Sequence, residues 1–147
     1  MALKRLKNWD TQAYHDFLVS AASTHFVWGE FDCSLFAADG IKAITGVDIA
    51  DDFRGKYSDQ ASAFALIKSV TGGSTVADAA AYCAKKHGLT ERVHPLMAQR
   101  GDLVVFHGQT GDLVAGLVHL SGRHIVAVGD KGLYRFPISA VQRAWSY

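Results

Sequence analysis

The chain has 147 residues, enough for one compact domain and crowded for two. Hydrophobic residues make up 49% and charged residues 20%, a globular balance that excludes disorder over the bulk of the chain. Lys plus Arg number 15 and Asp plus Glu 14, a net charge of +1 that argues against a dedicated nucleic-acid binder.

Two cysteines, Cys33 and Cys83, argue against a disulfide scaffold and exclude a Cys-rich zinc or iron–sulfur site. The first residues hold a basic cluster, Lys4, Arg5 and Lys7, which reads as a solvated end. No apolar stretch follows it, so the sequence predicts no signal peptide, and no run is long enough for a membrane span. A soluble protein made in the cytoplasm, with reduced thiols, is expected.

Asp10 or Thr11 is placed to cap a first helix reaching about Ala22, with Ala13, Tyr14, Phe17, Leu18 and Ala21 at helical spacing. A second helix starts at Asp32 or Cys33 and ends before Gly46. Its apolar face of Cys33, Phe36, Ala37, Ile41 and Ile44, widened by Leu35 and Ala38, marks it as central and buried. Ser58 is placed to cap a third helix that stops at Gly72-Gly73, and Ser74 a fourth with Gly88 as its C′ residue. Five short strands follow: Asp102–His107, Leu113–Leu120, Arg123–Val128, Leu133–Phe136 and Val141–Trp145. A two-residue loop at Ser121-Gly122 pairs Leu120 with Arg123 and His119 with His124. The expected fold is a single α+β domain over 1–147. Its helical half covers about 10–90 and packs on an antiparallel sheet from about 100–147.

The segment Phe26-Val27-Trp28-Gly29-Glu30-Phe31-Asp32-Cys33-Ser34 carries the chemistry. It places Cys33 at a helix N-terminus, where free N–H groups and the helix dipole favour a thiolate and can hold an oxyanion. Asp32 suits an N-cap. Asp39, six residues on in a largely apolar helix, needs a partner such as Arg54 or Lys56. Cys83, on the apolar face of an Ala-rich helix, reads as core. Trp9 and Trp145 would mark a protein interface if exposed.

Trp-Gly, then Phe-Asp-Cys-Ser opening a helix, then Arg100-Gly-Asp-Leu-Val-Val-Phe106 opening a sheet, resembles the NlpC-like cysteine peptidases. These are papain-like endopeptidases of bacterial cell walls. The resemblance spans about residues 25–136. It implies an NlpC-type fold with Cys33 at the nucleophile position, in a cleft between helices and sheet. Trp28, Asp32 and Ser34 then stand where substrate would bind, and neither a metal nor a cofactor is implied. Phe36-Ala-Ala-Asp39, Thr45-Gly-Val-Asp48, Asp52-Phe-Arg-Gly-Lys-Tyr57 and Arg143-Ala-Trp145 look like small, functionally unassigned proteins of phage and prophage tail modules. That likeness implies a tail-tip or baseplate component with hub and tail-tip proteins as partners. It would be made in the host cytoplasm and then carried in the virion tail.

Three departures stand against catalysis. The family's His-Val-Gly-Ile is Val114-Ala115-Gly116-Leu117 here, its third polar residue falls at Val126, and its tyrosine is Phe26. A cysteine peptidase needs an imidazole to activate the thiol and protonate the leaving amine. Alternation puts Val114 and His119 on opposite faces, which leaves His107 and His25 as substitute bases. The His119–His124 pair offers a metal two ligands, where zinc takes three or four. The sequence therefore predicts a degenerate peptidase fold used as a structural or docking module. The alternative is an active peptidoglycan endopeptidase in which His107 or His25 replaces the missing base.

Overall fold

The computed structural model describes residues 3–147. A π-helical turn, Trp9–Ala13, runs into α1, Tyr14–Ala21. The expected cap at Asp10 or Thr11 is not used: the turn starts after Asn8, whose backbone is left-handed at φ 60° and whose side chain caps nothing. α2 spans Cys33–Thr45, with Asp32 as its N-cap. α3, Gln60–Thr71, and α4, Val76–His87, are capped by Asp59 and Thr75, one residue beyond the expected Ser58 and Ser74. Reciprocal capping boxes explain the shift. The Asp59 carboxylate takes the Ser62 N–H while the Ser62 hydroxyl returns to the Asp59 backbone, and Thr75 and Asp78 do the same for α4.

Six strands, not five, form one antiparallel sheet in the order β1-β6-β2-β3-β4-β5. They are β1 Thr90–Glu91, β2 Leu103–His107, β3 Leu113–Val118, β4 His124–Gly129, β5 Gly132–Pro137 and β6 Val141–Ser146. The unexpected β1 has only two residues, both exposed, and so shows no alternation. It pairs with β6 alone, Thr90 opposite Ser146 and Glu91 opposite Trp145. The architecture is α+β, with the N-terminal helices on one face of the C-terminal sheet.

Alternation divides the sheet's side chains. Leu103, Val105, Ala115, Leu117, Val126 and Val128 join the helices in the main core, centred on Phe36, Ile41 and Ile44 of α2. Val104, Phe106, Val118, Ile125 and Ala127 form a second cluster with Tyr134 and Phe136 packed against it. The Phe106 and Phe136 rings lie 5.4 Å apart.

The predicted register of β3 and β4 is present. Leu117 faces Val126, Val118 faces Ile125, and the His119 N–H bonds the His124 carbonyl at 2.8 Å. Leu120 and Arg123 lie in the turn instead of pairing, because the Gly122 N–H folds back onto the His119 carbonyl. Toward the other end the two strands part. Leu113–Gly116 pair only with β2, and Ala127–Gly129 only with β5. Gly116 sits where they begin to separate. A Cβ there would lie 2.8 Å from the Val126 carbonyl oxygen, so any larger residue would push β4 away.

The basic N-terminal segment is not simply solvated, because Arg5 is built into the fold. Its guanidinium donates to Asp102 and to the Arg100 carbonyl and stacks on Trp9 and Tyr147, 4.2 and 4.7 Å from the ring centroids. Trp145 is buried at 3% exposure, so it anchors the core and not an exposed interface. No helix among the described residues is long and apolar enough to cross a membrane.

Candidate functional site

Where β3 parts from β4, a cavity of about 450 Å³ reaches the first turn of α2. Trp28, Asp32, Cys33 and Ser34 all line it, so the sequence-predicted nucleophile and substrate-side residues are brought together. Trp28 packs edge-on against Phe26, ring centroids 5.2 Å apart.

Asp32 organises this corner. It is 1% exposed, and its carboxylate accepts the Leu35 and Gly29 N–H groups, each at 3.0 Å. The Tyr57 hydroxyl donates to the same carboxylate. The bond to Leu35 caps α2, and the bond to Gly29 fixes the loop before it. Gly29 has φ +81°, and a Cβ there would overlap the Tyr57 carbonyl. That close approach lets the loop carrying Tyr57 dock on the motif, with the Gly55 N–H bonded to the Gly29 carbonyl at 3.1 Å. Further along the loop Arg54 bonds Asp39 at 2.7 Å and Asp48 at 2.9 Å, supplying the partner that Asp39 needs. Burial still holds the Asp39 carboxyl above its usual range, while Arg54 holds Asp48 below it.

Cys33 is half-buried, with the Ser34 hydroxyl 3.9 Å from its sulfur. The expected thiolate-favouring helix terminus does not prevail. Burial pushes the Cys33 thiol up, and the neighbouring Asp32 carboxylate adds to this. The Ala115 and Ser34 backbones and the Ser34 hydroxyl oppose the rise without cancelling it. Two tyrosines stand near the sulfur. Burial raises the Tyr57 hydroxyl far above its ordinary range, reinforced by Asp32 and Cys33, and burial with Cys33 raises Tyr134 to about 12. Both are neutral proton donors, not bases, at physiological pH.

No Lys, Arg or His is among the described residues lining the cavity. His107 is exposed, and its Nδ1–H donates to the Gly111 carbonyl at 2.8 Å within its own β-turn. His25 is exposed in the loop before the motif and does not line the cavity. Val114 lines the cavity and packs with the second cluster, while Val126 is buried in the main core opposite Leu117. His119 accepts the Ser121 N–H at the far hairpin turn, and burial holds its imidazole below the usual range. Among the described residues no group of three or more His, Cys, Asp or Glu is placed to hold a metal.

Sequence reasoning missed Tyr57, Tyr134 and the walls from α3 and α4. Tyr57 closes the Asp52–Tyr57 segment, but its link to Asp32 spans 25 residues and leaves no local signal. Cys83 is buried as expected, yet it also lines the deep end of the cavity, where burial raises its thiol to about 12.

A family model described as Domain of unknown function (DUF6950) matches residues 4–147. The chain belongs to that family. No curated protein matches the sequence.

Proposed function

We propose that this DUF6950 chain is an NlpC-type, papain-like domain that no longer hydrolyses peptides. In this reading it serves as a structural or docking part of a phage or prophage tail tip or baseplate. The observation that carries the non-catalytic part is the absence of any imidazole among the described residues of the cavity that reaches Cys33. A thiol raised by burial, beside two neutral tyrosines, has nothing to take its proton and nothing to protonate a leaving amine. The tail location and the tail-protein partners rest on the sequence resemblance alone.

One observation favours the alternative, a peptidoglycan endopeptidase: Cys33, at a helix N-terminus, lines the cavity. Peptidoglycan digestion followed by mass spectrometry, run beside Cys33→Ala, separates the two. The non-catalytic reading expects identical blanks from both proteins. Stem-peptide fragments that disappear with Cys33→Ala would overturn it.

A further inference from the structure

We infer that the cavity beside Cys33 binds a small, mainly apolar molecule whose polar end is cationic. This inference stands whether or not Cys33 is idle. Three features of the cavity carry it.

The first is shape. A volume of about 450 Å³ lies within the range of about 300–1,000 Å³ typical of small-molecule sites. Filled with solvent, it would hold on the order of fifteen waters at about 30 Å³ each. The walls at depth are Leu35, Ile49, Phe53, Ile67, Val76 and Ala80, all buried, which give such waters few partners. Displacing poorly bonded water with an apolar body is favourable.

The second is the wall formed by α3. Ile67 is the only buried residue of this helix, and Phe64, which lines the cavity, is 37% exposed. α3 screens the cavity more than it packs the core.

The third is charge. At the exposed rim the β2–β3 turn contributes Gln109, Thr110 and Asp112 to the lining, and the β4–β5 turn contributes Asp130. Asp112 and Asp130 give the rim two carboxylates, and no cation lines the cavity among the described residues. Inside, Asp32 is already occupied by two N–H groups and a tyrosine hydroxyl. An anionic end would meet repulsion at the rim, while an ammonium end would meet two acceptors.

The test uses decylamine and decanoate as probes, titrated calorimetrically into the intact protein below their self-association concentrations. Decylamine should bind once per chain and at least about ten-fold more tightly than decanoate at low salt. In Asp112→Asn/Asp130→Asn, whose changes are at exposed positions, the preference should fall to about two-fold or less. Ala80→Phe, which fills the deep end, should abolish binding. Ala63→Trp, on the half-buried face of α3, does the same job if Ala80→Phe does not fold. Absence of saturable decylamine binding would overturn the inference. So would decanoate binding as tightly as decylamine, or decylamine binding that survives a filled cavity in a protein with an intact thermal transition. The peptidoglycan digestion above reads cleavage and not binding, so the two ideas fail separately.

Discussion

Two buried aspartates sit at opposite ends of this fold and solve the same problem differently. Asp102, fully buried, takes Arg92 at 2.9 Å, Arg5 at 3.3 Å and the Gln99 N–H at 2.9 Å. Asp32, 1% exposed, has no cation among its partners and relies on two backbone N–H groups and the Tyr57 hydroxyl. The Asp102 cluster ties three distant pieces of chain, including residue 5 and the start of β2. The Asp32 cluster holds a helix terminus and a loop against an open cavity. A carboxylate neutralised by arginines has no charge left to offer a ligand. One held by N–H dipoles keeps its negative field directed at the neighbouring sulfur and helps hold that thiol protonated. Identical chemistry therefore yields a fastening at one end and a tuned site at the other.

The comparison can be broken by removing each charge. Asp102→Asn should have the largest effect, about 3–5 kcal/mol in urea unfolding, because it leaves two partly buried guanidinium groups without their counter-ion. Asp32→Asn should cost about 2 kcal/mol by the same measurement, since an amide cannot accept all three bonds. A greater loss at Asp32 than at Asp102 would reverse the ranking. Tyr57→Phe removes one of the three bonds and should cost about 1 kcal/mol.

The sulfur gives a pH test of the same contrast. With its thiol raised in the folded state, Cys33 should react with iodoacetamide more slowly at pH 8 than a free thiol. Its labelling rate should keep climbing beyond the ordinary thiol range. The unfolded chain ionises its thiol first, so the same shift makes stability fall as pH rises above that range. A labelling profile that levels off near neutrality would mean that the helix terminus wins over burial. The smallest effect belongs to an exposed control. Arg143→Ala breaks the 2.8 Å pair with Glu91 between β1 and β6 and should cost about 0.5 kcal/mol.

What could be read from the sequence was what short spacing determines. The Asp32 cap and Cys33 in the first turn of α2 follow from residues within three positions of each other. The pairing of Leu117 with Val126 follows from a turn signal between two apolar runs. Arg5 could not be read this way, because its carboxylate partner lies 97 residues along and its neighbours Lys4 and Lys7 suggest solvent. The resemblance implies a cleft at Cys33, but its walls leave no local signal for a related reason. It lies where β3 and β4 part after two residue pairs, walled in part by α3 and α4, and alternation along a strand says nothing about where neighbouring strands part. The thiol's direction does not follow from the sequence because the helix-terminus effect is local, whereas the burial opposing it arises only in the folded chain.

The stacking of Arg5 between Trp9 and Tyr147 also determines how the fold can be attached to anything else. The Leu6 N–H bonds the Ile44 carbonyl at 2.8 Å, so this corner lies at the C-terminal end of α2. Cys33 begins the same helix, and the 1.5 Å rise per residue puts it about 17 Å away. Arg5 and Tyr147 lie side by side at this corner. Anything linked at either point would grip one pole and leave the cavity facing outward at the other. A short linker between those two points, with a new opening at the exposed Ser121, which does not line the cavity, would produce a permuted chain whose cavity has the same walls.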